Sequence, residues 1–393
     1  MEISVPILLA TLLLGIVAGV LPGLHPNSIG AILDNFFGQE EFWPILLLIL
    51  LGCRMALQFL PSIFLGVPDA ETQVAALPGQ RMLLEGKAQE AVLICAFSVL
   101  LATFAAMLLS PLALIFLPAI FAFIKPWIGP LLILAMAAAI FSEEGMKHKA
   151  RAFAVFLLAW ALGQITLNLP LSDPLFPMFV GFFTMPFLLS PSSPSSHLPA
   201  QENVKKINPD ILPFIALGIV FGALADLLPG ISTPAQIALF ASFLIPLSHP
   251  RHFLALVASI EASHSAFALT SSAAIGVARV GVVAMAQQAM QISSHNLPLL
   301  FGAFALAVGV GALAAIFIGK KMAKYWHEID WSLLGKIIVI YLVLMVLLNC
   351  GILGIIVLVA ASAIGALPIL WNIRRTHVMG SLIGPSILYS LGL

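Results

Sequence analysis

The sequence predicts an all-α fold: a polytopic transmembrane helical bundle of about 10–12 helices, built as two inverted repeats with Pro/Gly-broken or re-entrant helices. Three observations predict it. Of 393 residues, 61% are hydrophobic and only 9% are charged, whereas soluble domains carry about 25% charged residues. Runs such as Ile45–Leu51 and Ile352–Ala361 are apolar on every face, while a transmembrane barrel alternates polar and apolar residues. A helix-breaking Leu-Pro-Gly triplet also recurs, at Leu21 and again at Leu228.

Lipid offers no hydrogen bonds, so the spanning backbone must bond to itself, and roughly 20 apolar residues cross the hydrocarbon as a helix. Spans are expected at 3–20, 24–37, 43–60, 90–118, 127–142 and 151–169, with a shorter apolar piece at 175–189. The first lacks the basic start of a signal peptide and reads as part of the mature fold. Residues 190–210, from Ser190 to Asp210, are rich in Pro, Ser and Asn and read as a solvated linker. Spans then recur at 211–228, 235–247, 253–270, 272–290, 297–319, 334–349, 350–371 and 376–392. The chain thus divides into an N-terminal transmembrane repeat (1–189), the linker and a C-terminal transmembrane repeat (211–393).

The halves share more than their spans. Gly15-Ile-Val-Ala-Gly19 precedes the first triplet and Gly218-Ile-Val-Phe-Gly222 the second. Looser matches pair Gly79-Gln-Arg81 with Gly276-Val-Ala-Arg279. Others pair the basic residues Lys147, Lys149 and Arg151 with Arg374 and Arg375. Matching hydrophobic segments broken by Gly and Pro point to the binding site of a repeat-built transporter; the alternative is two ordinary loops between short helices.

The break at Leu21-Pro-Gly-Leu-His-Pro26 is followed by Asn27 and Ser28, and the break at Leu228-Pro-Gly-Ile-Ser-Thr-Pro234 leads to Gln236. Pro26 and Pro234 suit a first helical position, Thr233 suits an N-cap and Gln236 completes a capping box. A helix that starts inside the membrane presents unpaired N–H groups and a positive dipole end, which favour an anion. Gly23 and Gly230 let backbone approach a ligand. Candidate substrate-binding residues are therefore Pro22, Gly23, His25, Asn27, Ser28, Pro229, Gly230, Ser232, Thr233 and Gln236. On the other reading these caps serve only their own helices.

Asp69, Glu71 and Thr72 follow Pro68 in an apolar context, and Glu261 and His264 lie three apart on one helix face. Intramembrane ionisable groups are costly and face a cavity or a partner. These five residues are candidates for coupling to H⁺ or Na⁺, or else form first-turn acids at a wet surface and a structural Glu–His pair. Asp226 is a weaker candidate. Arg54 reads either as a counter-ion for a substrate or as an interfacial snorkelling residue. No catalytic residue, metal site or cofactor is expected beyond a coupling ion. Cys53, Cys95 and Cys350 have neither metal nor redox spacing, and HExxH, GxSxG, P-loop and Rossmann signatures are absent. The charge balance of zero shows no basic stripe for nucleic acid.

Leu21-Pro-Gly-Leu-His-Pro26, Leu228-Pro-Gly-Ile231, the segment Phe64–Thr72 and Pro78–Ala91 together resemble the large membrane subunit of the tripartite tricarboxylate transporters. The likeness is to TctA-type subunits, especially the shorter archaeal TctA-like branch. It implies an ion-coupled carboxylate carrier in the cell membrane of a prokaryote, with the Leu-Pro-Gly segments at the substrate. It also implies a small membrane subunit or an extracytoplasmic binding protein as partner, besides membrane lipid and a small organic anion. Two departures stand out: His25 replaces a common glycine, and the chain is shorter than that subunit. The expected function is secondary active transport of an organic anion, a carboxylate foremost, coupled to H⁺ or Na⁺ and bound at the paired broken-helix N-termini near the membrane midplane. The alternatives are a carrier or flippase of an anionic lipid such as a polyprenyl phosphate, an intramembrane enzyme, and a scaffold without transport.

Overall fold

The computed structural model describes residues 3–22, 24–67, 72, 75–188, 199–204, 206–225, 249–325 and 331–392, and among these residues it is all helix and connection, with no strand. The first half gives α1 (Val5–Val20), α2 (Pro26–Phe37), α3 (Trp43–Leu57), a π-helical turn at Pro61–Leu65, α4 (Ala76–Leu84), α5 (Ala88–Ile124), α6 (Ile128–Phe141) and α7 (Met146–Leu167). Short pieces follow: α8 (Leu175–Phe179), a second π turn at Val180–Thr184 and α9 (Met185–Leu188). The second half gives α10 (Leu212–Ala225), α11 (Pro250–Ile275), α12 (Gly281–Ala289), α13 (Leu297–Tyr325), α14 (Trp331–Trp371) and α15 (Gly380–Leu391). Five of these helices are long and apolar enough to cross a membrane. Their outward residues, such as Leu108, Phe123 and Leu370, are large, apolar and exposed, as lipid contact requires.

Boundaries moved where local chemistry decided them. The span expected to end at 118 runs to Ile124 because Pro111 and Pro118 are carried inside α5; helical spans tolerate proline when neighbours satisfy the freed carbonyls. The expected division near 271 falls instead at Gly276, whose φ of 68° ends α11. Spans 334–349 and 350–371 form one helical run interrupted at Gly351 (φ 63°). Gly66 (φ 67°) closes the unit made by α3 and its π turn in the same way that Gly276 closes α11. Gly79, by contrast, lies inside α4, so the proposed match of Gly79-Gln-Arg81 to Gly276–Arg279 does not join equivalent places.

Packing follows small residues. A side chain on Gly15 or Gly19 would strike Cys53 or Leu57 of α3, and one on Gly218 or Gly222 would strike Ser259 or Ser263 of α11. In both halves, then, a GxxxG helix lies parallel to the long helix that follows it, as close packing in lipid favours. Helices α5 and α11 also run parallel: Arg251 approaches Glu90 at 3.8 Å near their starts, and Thr270 donates to Ser110 at 3.1 Å further on. Helices α3 and α13 run parallel too, with Gly52 against Phe304, Gly311 against Cys53 and Gly319 against Leu60. Gly319, late in α13, also meets Val92, early in α5, so the α3/α13 pair runs opposite to the α5/α11 pair. Helices α3 and α11, each packed on a GxxxG helix, therefore belong to different pairs. The two halves of the chain intertwine rather than pack as separate bodies.

The linker is not wholly solvated. Gln201 Oε1 accepts from the Ala88 N–H at 2.9 Å, and its Nε2 donates to the Leu83 carbonyl at 3.1 Å. One side chain thus caps the start of α5 and the end of α4. Gln201→Ala should lower stability by about 1 kcal/mol, as loss of a helix cap does, read as a lower midpoint of thermal unfolding in detergent. Residues 190–198 lie outside the described residues.

Candidate anion site at the first helix break

Helix α1 ends at Val20, and α2 starts at Pro26 and returns beside it to Phe37. Phe37 stacks on Trp43, the first residue of α3, with ring centroids 6.1 Å apart, and Trp43 Nε1 donates to Asp34 at 2.7 Å. The start of α3 is therefore level with the end of α2. Because Gly19 packs against Arg54 and Leu57, the tip of this hairpin lies about 14 residues further along α3, at a rise of about 20 Å. The first break thus lies at the end of α3 away from Trp43, with Pro22 and Pro26 buried and Leu21 and Asn27 exposed.

His25 is the N-cap of α2: its Nδ1 accepts from the Asn27 N–H at 3.1 Å. The ring that departs from the family pattern thus takes the role that Ser or Asn usually fills, which satisfies part of the dipole end by itself. Pro22 is buried, and its carbonyl accepts from Tyr341 Oη at 2.9 Å. Asn27 is exposed and lies against Gly281, where a Cβ would fall 2.6 Å from Asn27 Nδ2. Gly281 is the first residue of α12, a helix whose N-cap, Val280, supplies no side-chain hydrogen bond. The starts of α2 and α12 therefore meet, and Arg279 stands two residues before that meeting point. A helix start without a side-chain cap and an exposed carboxamide make a spot suited to a carboxylate.

Gly23, Pro229, Gly230, Ser232, Thr233, Gln236, Asp69, Glu71 and Asp226 lie outside the described residues, as does the side chain of Ser28. Thr72 is buried, and its carbonyl accepts from Ser62 Oγ at 3.5 Å. Glu261 and His264 are both buried within α11, 3% and 2% exposed. Arg54 is 1% exposed, so the interfacial snorkelling reading fails: its guanidinium is enclosed by protein. Buried side-chain oxygens of Gln58, Ser98, Thr103 and Ser272 have no hydrogen-bond partner among the described residues, an uncommon condition in native cores. The approach of α12 to Asn27 is not foreseen from the sequence, where Arg279 reads only as part of a loose match between the halves.

A second polar cluster joins loops outside the five spans. Glu143 Oε1 accepts from His377 Nε2 at 2.8 Å and from the Arg374 N–H at 3.0 Å, while Arg374 donates to Ser142 Oγ at 2.9 Å. Arg151 adds a bond to the Trp371 carbonyl at 3.3 Å, so the two sets of late basic residues converge. Burial alone would raise the Glu143 carboxyl, but the bonds from His377 and the Arg374 backbone outweigh it and hold it below its ordinary value. Burial holds the His377 imidazole below its ordinary value against the pull of Glu143. The depressed Glu143 value stabilises the fold at neutral pH and that contribution is lost as pH falls through it, below 4.5, while the depressed His377 value costs stability as pH falls below about 6.5, where the unfolded imidazole charges first. Thermal unfolding scans should show stability falling from pH 7 to pH 4, with a shallower fall in His377→Gln.

Three comparisons with known proteins bear on this geometry. The profile of the tripartite tricarboxylate transporter TctA family matches residues 6–380. The uncharacterized protein MJ1079 of Methanocaldococcus jannaschii is 26% identical over 399 residues, covering 98% of each chain. No solved structure matches the chain. A profile match across nearly the whole chain, on a helical bundle with helices long and apolar enough to span a membrane, means that the chain belongs to the tripartite tricarboxylate transporter TctA family, a family of transporter components.

Proposed function

We propose that this protein is a secondary active transporter of a carboxylate, coupled to H⁺ or Na⁺, in the cell membrane of a prokaryote. The observation that carries the reading is the meeting of Asn27 with Gly281, which sets the start of α12 and Arg279 beside the first helix break. A carboxylate there would gain the N–H groups of the α12 start and the charge of Arg279, and charge-assisted bonds of this kind are strong. The family name suggests a tricarboxylate as substrate and further subunits as partners. Glu261, His264 and the unpartnered oxygens of Gln58 and Ser272 are the groups proposed to handle the coupling cation.

The lipid-carrier reading is less well supported. The cleft between α5 and α10, about 280 Å³, opens to the lipid side but is lined by Leu109, Leu112, Phe116, Ile219, Val220 and Phe267 among its apolar residues. It offers no charge to a headgroup. The test is uptake of labelled citrate by purified protein in liposomes under an imposed Na⁺ or pH gradient, with any partner subunit added in a parallel arm. Gradient-dependent uptake supports the reading. Its absence with every carboxylate tried, in protein shown to be folded, would refute it.

A further inference from the structure

Positive charge is spread unevenly over the bundle. Arg251 beside Glu90 joins the starts of α5 and α11, and Gly319 against Val92 brings the end of α13 to the same place. Helix α14 starts soon after α13 ends, and its own end returns to that side. A side chain on Gly354 would meet Val346, eight residues back, a separation of about 12 Å along a straight helix, so the chain reverses at Gly351. Arg151 reaches the Trp371 carbonyl, which adds the start of α7. Among the described residues, the basic side chains other than Arg54, Lys125 and Arg279 therefore gather at one end. Such an excess of Lys and Arg marks the cytoplasmic face of a membrane protein.

At the start of α7 these side chains converge and are incompletely paired. Arg151 lies over the Trp371 ring, 5.8 Å from its centroid. Gly380 rests on the Phe156 carbonyl, so residues 372–379 run alongside the first turns of α7 and set Arg375 and Thr376 near Arg151. Glu143 is already engaged by His377 and the Arg374 N–H. Arg375 is half-buried and makes no ion pair or hydrogen bond among the described residues. Burial holds its guanidinium below its ordinary value. The Thr376 hydroxyl is buried and also lacks a partner among the described residues. Lys147 stands exposed on the same turn of α7. A cation withdrawn from water calls for an anion. The surroundings say which kind: Phe141, Met146 and Leu370 are apolar and exposed beside the charges, and Trp371 is a residue typical of the membrane–water boundary.

We propose that Arg375, Thr376, Arg151 and Lys147 bind the phosphate headgroup of an anionic membrane lipid at the cytoplasmic boundary. The guanidinium groups hold the phosphate by charged hydrogen bonds, and the Thr376 hydroxyl donates another. Basic clusters between helix ends attract anionic headgroups in this way. The site requires only that the chain spans a bilayer; it does not rest on the transport reading.

Native mass spectrometry of the purified protein in detergent, with phosphatidylglycerol or phosphatidylcholine added, tests this. The unsubstituted protein should retain phosphatidylglycerol about tenfold more than phosphatidylcholine, the size expected from two charged contacts. Arg151→Gln combined with Arg375→Gln should lose that preference. Arg375→Lys, which keeps the charge, should keep most of it, and Lys320→Gln with Lys321→Gln at the end of α13 should leave it intact. Equal retention of the two lipids by the unsubstituted protein overturns the proposal. So does a preference that survives in the folded double variant, or one lost equally in the α13 pair. If the double variant does not fold, Arg375→Gln alone is read against Arg375→Lys, and equal retention by those two overturns it. Inorganic phosphate in large excess should not displace the lipid; displacement assigns the cluster to a soluble anion and overturns the lipid site.

Discussion

Replacing Arg279 by glutamine should cut citrate uptake by about 10- to 100-fold. The size follows from the loss of charged hydrogen bonds, each about 1.5–3 kcal/mol when one partner is ionised, at about 1.4 kcal/mol per tenfold change. Arg279 stands two residues before the helix start that touches Asn27, so it brings a fixed positive charge next in the chain to that start. Arg279→Lys should recover part of the activity, since the charge remains while the planar fork that grips a carboxylate with two bonds is lost. Initial rates across a range of citrate concentrations check this. Wild-type rates in folded Arg279→Gln protein would remove Arg279 from the site.

Gly311→Leu should abolish the folded state of the protein. The Cα of Gly311 rests on the carbonyl of Cys53, and backbone cannot yield as a flexible side chain can. Helices α3 and α13 would have to separate along their whole contact, at a cost of about 3 kcal/mol or more. Gly309→Ala, two residues earlier on the same helix, meets nothing within 4 Å and should raise stability by about 0.5–1 kcal/mol through helix propensity. Thermal unfolding in detergent distinguishes the two. A folded Gly311→Leu protein with the wild-type midpoint would show that the helices are not in this close register.

Much of the fold was legible because lipid imposes a strong constraint: apolar runs of sufficient length must be helical. The GxxxG pairs at Gly15 and Gly218 marked the two helices that pack closely on α3 and α11. What the sequence hid was long-range. Nothing in the run around Arg279 announces that Gly281 touches Asn27, more than 250 residues away, since that contact depends on how the two halves intertwine. His25 likewise read as a departure from a family pattern until its ring was seen capping α2. Arg54 looked like an edge residue because it lies late in an apolar span; only packing of α1 and α13 around α3 encloses it. Gln201 sat in a stretch whose composition signals solvation, yet its carboxamide matches two helix ends that happen to lie side by side.

The most direct test of the account is an electron cryomicroscopy structure of the protein in saturating citrate. The account predicts ligand density between Asn27, the start of α12 at Gly281 and Arg279. Density in the apolar cleft between α5 and α10 instead, or a citrate-bound protein with nothing beside Gly281, would contradict it.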